Sequence, residues 1–462
     1  MVSRIVKKEL LLNLLGFRFQ ISFALLFILI VGSMQIMVIN YGRRLNDYST
    51  ASEIHREDLA KVENIMQFEA FGITRDPKPT LLGIFAIGLE REMSRSFMIP
   101  GYAFSDRGMT RSVHASRLRG IELEASKYSN PIFTLFQPPD FIYVINIVLS
   151  LLAVLFAFDT ISGEKETQTL KLMLTNAVPR DAVLIGKWLG GTISILMPFL
   201  IAFLAGILLT IAHPYVSLTS DAWWRILLLF GISALYIGVF FLLGMVFSVF
   251  THNSATSLIL SLFAWIFFVL VVPNVSPVIA RQVVSIATPD QIIREEERIE
   301  RDMREEIQEL TPEEQEIRAK SLSDDLDEKV RELEDTYLRR LKRQVQAAMN
   351  VSRVSPSSTF IYATTSIAGT GINDYSTLKD KIIQNKYDLS EARKNFVKPD
   401  NTKAIPFIYI NIDTEKVPSF EKPEQKLAES VNNSLIDIAL LFIFAIIFFM
   451  VSFLKFLRYD VK

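Results

Sequence analysis

Apolar residues along this chain gather into six blocks, at 21–39, 141–158, 188–211, 226–250, 255–272 and 436–454. Each holds about 20 mostly apolar residues, the length a helix needs to cross the hydrocarbon core of a bilayer. One such block could be a buried helix of a soluble domain. Six of them predict an all-α polytopic membrane protein with six transmembrane helices. The first block reads as a span and not as a cleavable signal. Its apolar run outlasts a signal core, and Asn40-Tyr41-Gly42-Arg43-Arg44 follows where a small-x-small cleavage site would stand.

Basic residues orient the spans. Arg4, Lys7, Lys8 and Arg18 precede the first block, Lys165, Lys171, Arg180 and Lys187 follow the second, and Lys455, Arg458 and Lys462 lie in the tail at 455–462. These regions share one side, which places both termini in the cytoplasm; Arg43 and Arg44 dissent and are outnumbered. Two long segments, 40–140 and 273–433, are left on the other side.

The second of these opens on a charged helical pattern. Thr288-Pro289-Asp290-Gln291 reads as an N-cap, a first-turn proline and a capping-box glutamine. Ile292, Ile299, Met303, Ile307 and Leu310 then mark one apolar stripe. Thr311-Pro312-Glu313-Glu314 restarts the signal, and Leu326, Val330, Leu333, Tyr337 and Leu341 mark a second stripe at helical spacing. The pattern predicts a long helical pair over about 289–350, against the alternative of one kinked solvated helix. Ala368-Gly369-Thr370-Gly371 is a turn, residues 407–412 read as a strand, and 121–124 fits strand or helix. Together the two segments predict an α+β extracytoplasmic domain.

Composition narrows the chemistry. The 462 residues carry 49 Lys+Arg against 50 Asp+Glu, which supplies no global field for nucleic acid, and the absence of cysteine removes disulfides, thiolate metal sites and a cysteine nucleophile. His55, His114, His213 and His252 form no zinc motif, and no Gly-x-Ser-x-Gly elbow occurs. Gly186-Lys187 lacks the upstream glycine of a phosphate loop, and Trp188 stands where a Ser or Thr would hold magnesium, so no ATP site is expected in this chain. Neither a catalytic constellation nor a metal site is legible, which argues against a membrane enzyme.

The connection at 159–187 carries the most information. Two short amphipathic helices fit it, broken near Asn176, with Thr167, Leu170 and Leu174 on one face of the first. Glu164 and Glu166 sit where a helix N-terminus favours acids, and Pro179 suits the first turn of the second helix. Before the first span, Val6, Leu10, Leu14 and Phe17 follow helical spacing beside Arg4, Lys7 and Lys8, which predicts a cytoplasmic interfacial helix over 1–20 that engages membrane lipids.

Here the chain resembles the permease subunits of type-2 ABC exporters. Their connection runs from an acid-rich turn through Gly-Thr-Leu and a short leucine-rich helix to Pro-x-Ser-Arg and Gly-Lys. This chain has Glu164, Glu166, Thr169-Leu170, Arg180 and Gly186-Lys187 in that order. It departs at Gln168, where glycine is usual, at Ala177, where proline is usual, and at Pro179, where Ser or Thr is usual. Insertions after spans one and five resemble one subgroup of these permeases. The resemblance implies that the connection docks into a groove on a separate ATP-hydrolysing subunit, with Glu164, Glu166, Thr167, Thr169, Leu170, Leu174, Pro179, Arg180 and Lys187 as the contact residues. It also implies two such ATPase subunits, which hold the ATP and magnesium, a second permease copy in a homodimer, and a prokaryotic cell membrane.

Charge is scarce within the spans. Asn146 and Asp437 are the polar exceptions, Asp437 being expected in water near the outer end of span six. Gly231, Ala234 and Gly238 suggest a close-packing face on span four, and Pro198 a kink in span three. The reading is therefore the permease subunit of an ATP-driven exporter. Its alternative is a non-transporting machine in which the same ATPase moves the outer helices against an extracytoplasmic partner protein.

Overall fold

The computed structural model describes residues 2–64, 67–68, 72–99, 122–123, 139–175, 179–309, 311–396 and 413–459. Helix α1 (Val2–Leu15) ends at Gly16, and α2 (Phe17–Ala60) follows. At about 1.5 Å per residue the 44 residues of α2 reach about 66 Å, twice a hydrocarbon core. The apolar block at 21–39 is thus only the first half of a longer helix. Between Asn40 and Ala60 no proline and one glycine interrupt it. The dissenting Arg44 is compensated there: its Nη1 lies 3.8 Å from Glu90, a fully buried acid that Lys422 also pairs at 3.1 Å.

Past α2 comes an antiparallel three-stranded sheet in the order β1 (Ile73–Arg75), β2 (Phe97–Ile99) and β3 (Glu122–Leu123), so the 121–124 stretch resolves as strand. Phe97, Ile99, Ile73, Val62 and Phe68 form a small apolar cluster with Leu389. The strand predicted at 407–412 lies outside the described residues.

The second span, α3, runs as Phe141–Val144, a π-helical turn at Ile145–Leu149, and Ser150–Ala157. Asp140 caps it, its Oδ1 accepting from Tyr143 N at 2.7 Å. The connection to the third span holds α4 (Ser162–Glu166) and α5 (Thr169–Thr175). Then come α6 (Arg180–Ile211), α7 (Ser220–Phe250), α8 (Ser254–Ile266) with a π-helical turn at Phe267–Val271, and α9 (Val272–Val283). The helical pair is present as α10 (Pro289–Gln308) and α11 (Pro312–Ser352). Its capping box forms as read: Thr288 Oγ1 accepts from Gln291 N at 3.3 Å, and Thr288 N donates to Gln291 Oε1 at 2.8 Å. Ile292, Met303 and Val330 are buried between the two helices, as the stripes require. The remaining helices are α12 (Pro356–Ala368), α13 (Ile372–Phe396) and α14 (Leu427–Leu457). Six helices, Phe19–Ala60, Phe141–Glu166, Arg180–Ile211, Ser220–Phe250, Ser254–Val283 and Leu427–Leu457, are long and apolar enough to cross a membrane. The protein is an all-α polytopic membrane protein.

Helix α12 was not expected inside the bundle. Phe360 is fully buried and stacks on Tyr236 of α7 at 4.1 Å, and Ser357 donates to Asn146 Oδ1 at 2.7 Å. The carbonyl of Ile367 at its other end accepts from Arg225 at 2.8 Å. Tyr236 lies about 16 Å further along α7 than Arg225, so this 13-residue helix dips between the spans without crossing. Its hydroxyls bond its own carbonyls, Thr364 to Phe360 and Thr365 to Ile361, each at 2.7 Å, which lets a Ser/Thr-rich helix sit among apolar neighbours. Asp437 is likewise not in water. It is buried and paired bidentately at 2.7 and 3.0 Å by Arg353, the residue that follows α11. Within this chain the glycine stripe on span four is not a close contact with a neighbouring helix. A Cβ at Gly231 would meet nothing within 4 Å, and one at Gly238 would make only ordinary contact at 3.8 Å. Pro198 sits inside the unbroken α6.

Candidate functional site

The connection at 159–187 closes one end of the bundle, and its side chains tie down the ends of the surrounding helices. Lys187, in the first turns of α6, is buried and lies 2.9 Å from both Glu9 of α1 and Glu164 of α4. Lys165 donates to the carbonyls of Val249 and, at 2.9 Å, Thr251, where α7 runs out of internal partners. Glu166 does the converse for α8. Its Oε2 accepts from Ser254 Oγ at 2.9 Å and Ser254 N at 3.3 Å, a carboxylate at a helix N-terminus. Arg180 donates to the carbonyls of Phe456, at 3.2 Å, and Leu457 at the end of α14. Ser248 of α7 accepts from the backbone N–H groups of Ile161 and Ser162, both at 2.9 Å.

The local chain course differs from the sequence expectation in three places, one being that the second short helix is the unbroken start of α6. The helix before Asn176 is itself divided at Gln168, which has φ +60°. That left-handed conformation costs a side chain about 1–2 kcal/mol and is free for glycine. Thr167 therefore closes α4, its Oγ1 donating to Gly163 O at 2.9 Å and lying 3.0 Å from Thr169 Oγ1. Pro179 stands just before the first helical residue of α6 instead of within its first turn.

Burial sorts the nine residues expected to contact a partner. Glu166, Thr167, Thr169 and Pro179 are exposed. Leu170 is fully buried in the core of its own chain, and Lys187 is buried by its two carboxylates, so neither stands at the surface as expected. Glu164 and Arg180 are partly buried and occupied with Lys187 and α14. The side chain of Leu174 lies outside the described residues. Among the described side chains of α5, Leu172 is the large apolar one that is exposed, with 69% of its surface open.

Sequence reading missed Glu9, Lys165, Ser248 and Ser254. Glu9 had a signal: it falls four residues from Ile5 and Asn13, on the stripe that faces α6. A Cβ at Gly186 would come 2.7 Å from Ile5 and one at Gly190 2.7 Å from Glu9, so these glycines let α1 lie directly on α6. Asn13 Nδ2 donates to Ser194 Oγ at 3.1 Å on the same seam. The polar residues Glu9 and Asn13 thus face protein, while Leu11, Leu12, Leu15 and Phe17 are exposed.

A family description of ABC-2 family transporter proteins matches residues 4–461, nearly the whole chain. The chain belongs to the ABC-2 transporter family. No curated protein matches it. Membership makes this protein a transmembrane component of ABC transport, a system whose ATPase activity lies in a separate subunit. The ABC-2 assignment covers both the spans and the connection between the second and third of them.

Proposed function

We propose that this ABC-2 protein is the permease subunit of an ATP-driven exporter and that the connection at 159–187 is where a separate ATPase subunit drives it. The observation that supports this reading is the distribution of bonds around the connection. Glu164, Lys165, Glu166 and Arg180 are bonded respectively to α6, whose Lys187 also holds Glu9 of α1, to α7, to α8 and to α14. A push on so short a segment would reach four spans through charged hydrogen bonds, each worth more than a neutral one. The face left for the ATPase subunit is Thr167, Thr169, Leu172 and Pro179, an apolar anchor with a polar rim of the kind that fits a groove. On this reading both termini face the cytoplasm, two permease copies pair as a homodimer, and two ATPase subunits bind ATP and magnesium beneath them. The parts of the segments 40–140 and 273–433 that lie beyond the spanning helices are then extracytoplasmic, except α12, which returns between the spans and stands near the exit.

The alternative, a machine acting on an external partner protein, would be favoured by an apolar patch on the outer helical pair. Among the described side chains of α10 and α11, Ile293 is an exposed large apolar one.

The test is co-purification with the ATPase subunit of the native complex. Leu172→Asp lowers recovery of that subunit at least tenfold while the permease keeps its thermal midpoint, because an exposed anchor costs binding and not folding. Leu170→Asp instead abolishes stable expression, since it buries a charge in the core. Full recovery and ATP hydrolysis with Leu172→Asp would overturn the assignment of the docking face.

A further inference from the structure

The foot of α14 gathers cations that no acid among the described residues pairs. Lys165, Arg180, Lys455 and Arg458 gather around its last turn. Lys165 Nζ lies 5.5 Å above the Tyr459 ring, Lys455 Nζ lies 5.3 Å above the Phe250 ring, and Arg180 bonds the carbonyls of Phe456 and Leu457. Among the described residues no carboxylate lies within 4.0 Å of any of the four. Glu166, the nearest acid in sequence to Lys165, is committed to Ser254.

Helix dipoles do not balance this charge. The C-termini of α7 and α14 each present about half a negative charge, against four full positive ones. Among the described residues roughly three charges are left over by this balance, where the apolar surface of the spans ends. That surface continues directly below: Phe250, Val451, Leu454 and Leu457 are all exposed. Cations over an apolar wall at a bilayer boundary match an anionic phospholipid, phosphate against the basic groups and acyl chains along the helix.

We propose that the foot of α14, with Lys455 and Arg458 as its open arms and Lys165 and Arg180 as its inner ones, is a binding site for the phosphate of an anionic phospholipid in the leaflet on that side. The assignment stands on charge and exposure and does not require the ATPase subunit. Because Lys165 and Arg180 belong to the connection at 159–187, a bound headgroup would brace that connection against α14.

The experiment uses the full chain in a zwitterionic detergent, titrated with phosphatidylglycerol, phosphatidylcholine or inorganic phosphate, with bound lipid counted by native mass spectrometry. Phosphatidylglycerol is expected to bind at least tenfold more tightly than phosphatidylcholine. Each cation near a membrane surface contributes about 1 kcal/mol, so K455Q with R458Q should weaken phosphatidylglycerol about 25-fold. Both residues are exposed at a helix end, so the fold should survive, and K455R restores binding toward that of the wild type. Equal binding of the two lipids overturns the proposal. So does an undiminished preference in the double variant, or displacement of phosphatidylglycerol by millimolar inorganic phosphate, which would mean a simple anion site.

Discussion

At the scale of single residues, backbone conformation separates what a residue type advertises from what its position demands. Gln168 is a polar residue in a polar connection, and nothing in its neighbours announces φ +60°. The demand arises because α4 must end and α5 begin within two residues while Glu164 and Glu166 reach opposite neighbours. Gln168→Val should therefore cost at least about 1 kcal/mol more than Gln168→Gly, since a β-branched residue tolerates that region worst. Thermal unfolding of the two variants in detergent checks this, and equal midpoints would remove the strain from the account. Leu170 shows the same limit. Its spacing is that of an amphipathic anchor, and the pattern is correct, but a pattern cannot say whether the apolar face meets a partner or its own core.

At the scale of elements, α1 and the connection are locked together by one lysine. Lys187 is 2% exposed between two carboxylates, with no apolar alternative for its ammonium group. Breaking a buried pair by removing one partner costs about 3–5 kcal/mol, whereas replacing all members with apolar or neutral groups can be neutral. Lys187→Met should thus fall in that range. The triple change of Glu9→Gln, Glu164→Gln and Lys187→Met should recover most of the loss, measured as thermal midpoints. A triple variant no more stable than the single one would show that the lysine acts by packing alone. Periodicity located both elements but not their bounds: the helix expected over 1–20 ends at Leu15, and the first helix of the connection divides at Gln168. The pairing was not, because Glu9 and Lys187 are 178 residues apart and read separately as surface charges.

At the scale of the whole molecule, the decisive feature is that a segment between the fifth and sixth spans returns into the bundle. The Ser/Thr content of α12 makes it look like a loop helix in water, and its 13 residues are too few to register as a span. Its burial is nonetheless that of a core. Phe360→Ala should cost about 3–5 kcal/mol, as for any fully buried aromatic, and a loss under about 1 kcal/mol in chemical unfolding would place α12 outside the cooperative unit. By itself the sequence determined the six spans, the capped helical pair and the position of the connection, because each is a local pattern of apolar period, cap residues or length. Only the tertiary structure decided which face of α5 is open, which acids hold Lys187, and that Asp437 meets Arg353 instead of water. Those outcomes depend on which helices pack side by side, and burial and charge pairing are properties of that packing, not of any stretch of chain read alone.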